Sequence, residues 1–190
     1  MAKVAVVYHS GYGHTRRQAE HVHKGAASVA GVEASLHSVD QMDEAFWNAL
    51  AAADAIIFGA PTYMGSVSAQ FKAFMDASSK VWFTQGWKDK LAAGFTNSGS
   101  WSGDKFNSLT QLWALAGQHS MVWVSLGLMP GNNSSKGSQE DLNSVGGYGG
   151  AMAQSNVDQG ADAMRPSDLA TAEHLGQRVA QAAVRWRKGA

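Results

Sequence analysis

Apolar positions along this chain alternate between two periods. Val4-Ala5-Val6-Val7-Tyr8, Ala55-Ile56-Ile57-Phe58-Gly59-Ala60, Leu91 to Thr96 and Met121 to Leu126 are short β-branched and apolar runs. Such runs mark strands covered on both faces. Glu33 to Val39 alternates more weakly and reads as a further, more exposed strand. Between these runs the period becomes helical. Ala19, Val22, His23, Ala26, Ala27 and Ala30 form a stripe of small residues, which Gly31 ends. Phe46, Ala49, Leu50 and Ala53 make a short amphipathic helix. Val67, Phe71, Phe74 and Met75 line another, with Ser66 or Ser68 as its cap. A fourth spans roughly Phe106 to Gly117, with Leu109, Trp113 and Ala116 facing inward. The last follows Pro166 and places Ala172, Leu175, Val179, Ala183 and Trp186 on one face. Arg185, Arg187 and Lys188 in its final turn suit the helix dipole.

Five strands alternating with five helices predict an α/β fold: a doubly wound five-stranded parallel sheet with right-handed crossovers and helices on both faces. The economical strand order is 2-1-3-4-5, in one domain spanning residues 1–190. Gly127 to Met164 stands apart as a long glycine-rich, polar loop region without a period, and loops of that length are usually functional or mobile. In such a sheet a ligand sits beyond the carboxyl ends of strands 1 and 3, where the winding reverses.

Those ends carry the candidate chemistry. Strand 1 breaks into Ser10-Gly11-Tyr12-Gly13-His14-Thr15. Its glycines let backbone approach a ligand, while Ser10, Thr15 and the amides of the next helical turn can donate to an anion. No lysine is present, so this phosphate loop works with neutral donors. The Gly-Lys-Ser/Thr of a nucleotide-hydrolysing loop is absent, and Arg16 stands where a dinucleotide fingerprint needs its third glycine. Strand 3 ends in Pro61-Thr62-Tyr63-Met64-Gly65, a tight turn able to hydrogen-bond the edge of a flat heterocycle while Tyr63 and Met64 touch its face. Strand 4 ends in Asn97-Ser98-Gly99-Ser100-Trp101-Ser102, small donors beside one large ring. Three such loops at successive strand ends converge on one crevice.

Composition narrows the chemistry further. Lys+Arg and Asp+Glu both number 15, so zero net charge gives no electrostatic case for nucleic acid or an anionic membrane. Absence of cysteine excludes disulfides, thiol chemistry and iron–sulfur clusters. No apolar run reaches the ~20 residues of a membrane span, and no secretory leader is visible. A cytoplasmic protein is expected. Seven histidines do not make a metal site, because His21 and His23 cannot face one ion and no other pair has ligand spacing.

The phosphate loop resembles that of the flavodoxins, Thr-x-Thr-Gly-Asn-Thr, through Ser10, Gly13 and Thr15. Over nearly the whole chain the sequence is similar to the tryptophan-repressor-binding-protein family of NAD(P)H:quinone oxidoreductases. The matching segments are Lys3 to Tyr8 with Tyr12-Gly13-His14, Ala55 through Thr62, Ala69-Gln70 with Phe74-Met75-Asp76, and Phe95 through Ser100. His119 with Met121-Val122, Tyr148-Gly149 and Arg165-Pro166-Ser167 complete them. The resemblance implies a flavodoxin-like fold, bound FMN, and NAD(P)H as donor to a quinone-like small molecule. It assigns the phosphate to Ser10 through Thr15, the isoalloxazine edge to Thr62 through Gly65, and flavin and ribityl contacts to Asn97 through Ser102. His119 and Trp82 match positions on the substrate side, where His119 could donate to a quinone oxygen. A homo-oligomer, dimer or tetramer, is expected, with the glycine-rich segment and exposed tryptophans as interface candidates. The family's Thr-Arg-Phe-Gly turn is here Thr62-Tyr63-Met64-Gly65.

Two functions follow. One is an FMN-dependent enzyme passing two electrons from NAD(P)H to a quinone; the other is a flavodoxin-type one-electron carrier. Carriers are usually strongly acidic, to steer to basic partners. Zero net charge favours the enzyme.

Overall fold

The computed structural model describes residues 1–189. Its sheet is built on β1 (Ala2–Tyr8), β2 (Val32–Ser38), β3 (Ala55–Tyr63) and β5 (Leu91–Ser98), all parallel. The order is β2-β1-β3-β5-β6, with β6 (Val122–Trp123) at the edge. Apart from the added two-residue β4 (Ser66–Val67), this is the predicted 2-1-3-4-5 winding. Alternation along each strand divides the core in two. Ala5, Val7, Ile56 and Phe58 point to the layer holding α2 (Glu44–Ala52), α3 (Ala69–Ala77) and α5 (Lys105–Gln118). Val4, Val6, Ala55 and Ile57 point to α1 (His14–Ala27) and α6 (Pro166–Lys188). Both layers are apolar, which is why these strands read as continuous rather than alternating runs.

The stripe of small residues on α1 lets α6 lie close against it. A Cβ on Gly25 would stand 1.9 Å from the Glu173 carbonyl oxygen, and one on Gly176 1.9 Å from that of Val22. Backbones in contact leave no room for any side chain at either crossing. This pairing fixes α1, and with it the loop that precedes α1.

Three expectations are corrected. Met121 to Leu126 is not a full fifth strand: only Val122 and Trp123 pair with β5, against Leu91 and Ala92. The upper edge of β5 is instead paired by β7 (Ala151–Gln154), which comes from inside the segment expected to be loop. The fifth strand is therefore split, with residues 124–150 leaving at the break. Trp123 seals the break by donating its Nε1–H to the Gly149 carbonyl at 2.8 Å. Of the two serines offered as a cap, Ser68 takes the N-cap position of α3, without a side-chain hydrogen bond to the helix, while Ser66 belongs to β4, which turns back antiparallel on β3. Trp113, expected to face inward, is 58 % exposed, because the buried stripe of α5 runs through Lys105, Ser108, Leu109, Leu112, Leu115 and Ala116.

The helix α4 (Ser79–Phe83) and a 3-10 turn at Ala161–Ala163 complete the elements. No helix among the described residues is long and apolar enough to cross a membrane.

Candidate functional site

A cleft of about 470 Å³ opens at the carboxyl ends of β1, β3 and β5, within the size range of small-molecule sites. Its walls come from all three expected loops: Ser10, Tyr12, His14 and Thr15; Pro61, Thr62 and Tyr63; Asn97, Ser98 and Gly99. Ser155 and Val157, which follow β7, close the fourth side.

The first wall is the start of α1. Gly13 is its N-cap at φ 93°, a left-handed conformation that glycine adopts without strain. That twist presents the first-turn amides, which have no intrahelical acceptor, toward the cleft mouth. Ser10 Oγ accepts the Gly13 amide at 3.1 Å. The His14 ring donates from Nε2 to the Gln159 carbonyl, 2.9 Å away, and ties the 155–161 segment over the loop. Neutral donors and a helix dipole suit a phosphate.

In the second wall, the proton positions follow from connectivity. Thr96 Oγ1 donates to the Ala60 carbonyl at 2.7 Å. Thr62 Oγ1 must then donate to Thr96 Oγ1, 2.8 Å away, and accept from Ser108 Oγ at 2.7 Å. All three hydroxyl protons are consumed inside the protein. The Thr62 side chain is a strut; its backbone is what a ligand can use. Tyr63 leans across the cleft, edge-on to Tyr12 at 6.2 Å between centroids. Burial pushes its phenol up, against a hydrogen bond donated by the Gly11 amide. A Cβ on Gly11 would stand 2.6 Å from that hydroxyl, so Gly11 is what lets the two loops meet.

The third wall holds Asn97, 5 % exposed. Its Oδ1 accepts from Ser155 Oγ at 2.8 Å, while its Nδ2 has no partner among the described residues. A buried donor costs about 1–3 kcal/mol when left unpaired. An acceptor in the cleft, such as the polar edge of a heterocycle, satisfies it.

Not every expected residue lines this space. Gly11 and Gly13 contribute through backbone. Met64, at φ 49°, is fully exposed at the tip of its turn with Gly65. Trp101 and Ser102 line a neighbouring cleft with Phe106 and Tyr148, and Ser100 lines neither. Trp82 and His119 lie together in another cleft, against α3 and the end of α5. His119 is 1 % exposed and lies against Trp87, with ring centroids 4.3 Å apart and planes tilted by 38°. Ser78 Oγ donates to the Met75 carbonyl at 2.7 Å, so His119 Nε2, 2.9 Å from Ser78 Oγ, is the donor of that pair. Burial drives the imidazole down to about 4. Its Nδ1 therefore carries a bare lone pair at neutral pH and accepts a proton donor. In this tautomer the nitrogen left free is an acceptor, whereas the sequence reading expects a donor to a quinone oxygen.

Ser155 and Val157 went unread because they lie in the glycine-rich stretch. The signal was there: apolar Ala151-Met152-Ala153 gives way to polar Gln154-Ser155-Asn156, as at the other strand ends.

A neutral phosphate loop at the switch point of a doubly wound sheet, facing an unpaired amide donor, defines a flavodoxin-like mononucleotide site, and its donors fit FMN. Residues 3–128 match the family described as NADPH-dependent FMN reductase, and the chain belongs to it. It is accordingly an FMN-dependent oxidoreductase with NAD(P)H as electron donor. The chain is 48 % identical over 184 residues to flavodoxin FldP of Pseudomonas aeruginosa, covering 95 % of this chain and 96 % of that one. It is 36 % identical over 199 residues to quinone-oxidoreductase QR2 of Triphysaria versicolor, covering 94 % and 93 %. Among solved structures it superimposes on a WrbA-like flavodoxin from Agrobacterium tumefaciens with TM-score 0.78 and 47 % identity, over 97 % and 99 % of the two chains.

Proposed function

We propose that this protein transfers two electrons from NAD(P)H to a quinone or similar flat, uncharged acceptor, working in the cytoplasm as a homo-oligomer. The observation that carries the reading is the character of the cleft: its lining has tyrosine rings, hydroxyls and amides but no carboxylate and no lysine or arginine. A neutral aromatic acceptor loses little solvation on entering such a space. A charged protein partner finds nothing there to steer it. QR2 carries its quinone activity in its name and supports the same reading.

Bound FMN supplies the relay between the two substrates, which is chemistry that no side chain here provides. The chain binds, orients and excludes water. Ser10, Thr15 and the first-turn amides of α1 hold the phosphate. Asn97 Nδ2 and the backbone around Thr62 and Gly99 hold the ring edge. Tyr63 and Val157 narrow the opening. The His14–Gln159 hydrogen bond ties the 155–161 segment to the loop that would hold the phosphate. Within one chain Trp82 and His119 do not line this cleft, so an acceptor-side role for them requires a second copy to carry them across.

The alternative, a one-electron carrier, draws on the name of FldP. One experiment separates the two. Under anaerobic conditions NADH or NADPH should bleach the flavin of purified protein directly, and benzoquinone should restore it over many turnovers. A flavin that neither nicotinamide reduces without an auxiliary reductase identifies a carrier.

A further inference from the structure

The loop between β5 and α5 has an unusual hydrogen-bonding balance. Every carbonyl from residue 98 to 102 is taken up inside the protein. Ser98 O accepts from the Ser155 amide at 3.2 Å, and Gly99 O from Gln154 Nε2 at 2.8 Å. Ser100 O and Trp101 O accept from Lys105 Nζ at 2.5 and 3.0 Å, and Ser102 O from the Lys105 amide at 3.2 Å. The amides of Gly99 through Asp104 donate to no acceptor among the described residues. From residue 99 to 102 the free polar groups of this backbone are its amide donors.

Behind the loop lies a charge cluster. Lys105 and Asp168 are each 1 % exposed. Asp168 Oδ2 accepts from Arg165 Nη2 at 2.7 Å and from the Gln154 amide at 2.9 Å. The Arg165 guanidinium stacks on Trp101, 4.2 Å from the ring centroid. Two cations and one anion leave one surplus positive charge, screened from water on the protein side. Asp104, the nearest acid on the loop itself, is exposed and screened by solvent.

We propose that Lys105 is a positioning residue that tunes the electron affinity of the bound flavin: its buried ammonium turns the Ser100 and Trp101 carbonyls inward, leaves the 99–102 amides as the free groups of that turn and backs them with net positive charge. The inference rests on the assignment of FMN to this cleft. When NAD(P)H gives up a hydride, two electrons and one proton reach the flavin ring, the nicotinamide leaves oxidised, and the ring gains one negative charge. Donors and a positive charge favour that product over the neutral oxidised ring. Burial lowers the Lys105 ammonium to about 8, against the pull of Asp168, so the charge is present at neutral pH.

The test is a spectroelectrochemical titration of the FMN-loaded protein at pH 6, for wild type, Lys105→Met and Asp168→Asn. Lys105→Met removes the surplus charge and should weaken reduced FMN relative to oxidised FMN about tenfold, moving the midpoint down by ~30 mV for two electrons. Asp168→Asn adds net positive charge and should move it up by a similar amount. A purely structural brace would shift neither midpoint, or both in the same direction, and either result overturns the proposal. Should Lys105→Met not fold, Asp168→Asn decides alone: an upward shift supports the proposal and an unmoved midpoint defeats it. Gly13→Val serves as the control for the cleft assignment. If it leaves FMN affinity intact, the assignment fails, a result distinct from an unmoved midpoint in variants that still bind the cofactor.

Discussion

The two loops that face each other across the cleft are built by opposite means. The phosphate loop is local: Ser10, Gly13 and the first turn of α1 shape one another within a few residues. No lysine, arginine or carboxylate stands in that loop between Ser10 and Thr15. The 98–104 loop is held by the adjacent Lys105 beneath it and, from far along the chain, by Gln154 and Ser155 at the end of β7 and by Arg165 and Asp168 at the start of α6. A phosphate brings its own charge and needs only neutral donors already aimed. A ring whose charge changes during turnover is better served by a surround whose charge the protein sets. The contrast teaches that one cleft can recognise with backbone on one side and tune with buried ions on the other.

Four variants or conditions test that contrast. The largest effect should come from Gly13→Val. A β-branched residue at φ 93° is strained, and its side chain fills the approach to the first-turn amides. FMN affinity should fall roughly a thousandfold, about 4 kcal/mol, with riboflavin affinity little changed. Comparable affinities of the wild type for FMN and riboflavin would show that the phosphate loop contributes nothing.

Asp168→Ala acts on the other side. It leaves Arg165 and the Gln154 amide without their shared acceptor and Lys105 without a nearby counter-charge, and removal of one partner from a buried charge cluster costs about 3–5 kcal/mol. Urea unfolding should show that loss in global stability, whereas Gly13→Val should lose only the smaller cost of one strained backbone position, about 1–2 kcal/mol. A stability loss shared equally by both variants would erase the distinction between a local and a distant scaffold.

Acidity gives a finer comparison. The Lys105 ammonium sits lowered to about 8, so raising the pH through that value removes the surplus positive charge and favours the oxidised cofactor. The wild-type midpoint should therefore fall more steeply with pH above 8 than below it. Lys105→Met should lack the break. For folding the sign is opposite: a lysine with a depressed folded value binds its proton better when unfolded, so stability from this group rises between about 8 and 10.5. Smallest of all, Trp101→Ala removes the ring under Arg165 and should cost ~1 kcal/mol of stability.

Much of this was legible in the chain. The continuous apolar strands and the small-residue stripe on α1 fix the layers, and the three strand-end loops lie where their glycines and hydroxyls placed them. What escaped reading has a common cause. β7 is four residues long and follows a run of glycines, so no period announces it. Lys105 falls on the helical face shared by Ser108, Leu109, Leu112 and Ala116, yet its charge argues for solvent until its acceptors are known. Those acceptors and its counter-ion come from a preceding turn and a distant helix, which one-dimensional spacing cannot bring together. His119 shows the converse. Its sequence context marks a histidine near a strand entrance, but only the Ser78 and Met75 contacts reveal which nitrogen holds the proton.

The break in the outer strand also bears on the order in which the molecule assembles. The lower half of β5 finds its neighbour β6 as soon as α5 has folded back. The upper half must wait until residues 124–150 have made their excursion and β7 returns. Closing the longer loop costs more chain entropy, and pairings distant in sequence form late. The wall carrying Ser155 and Val157 is thus the last part of the cleft to arrive, and by the same energetics the first to fray. Amide hydrogen exchange should be faster in β7 than in β1. A ligand spanning from Ser10 to Ser155 should slow exchange most at β7, acting as the final fastener of the fold.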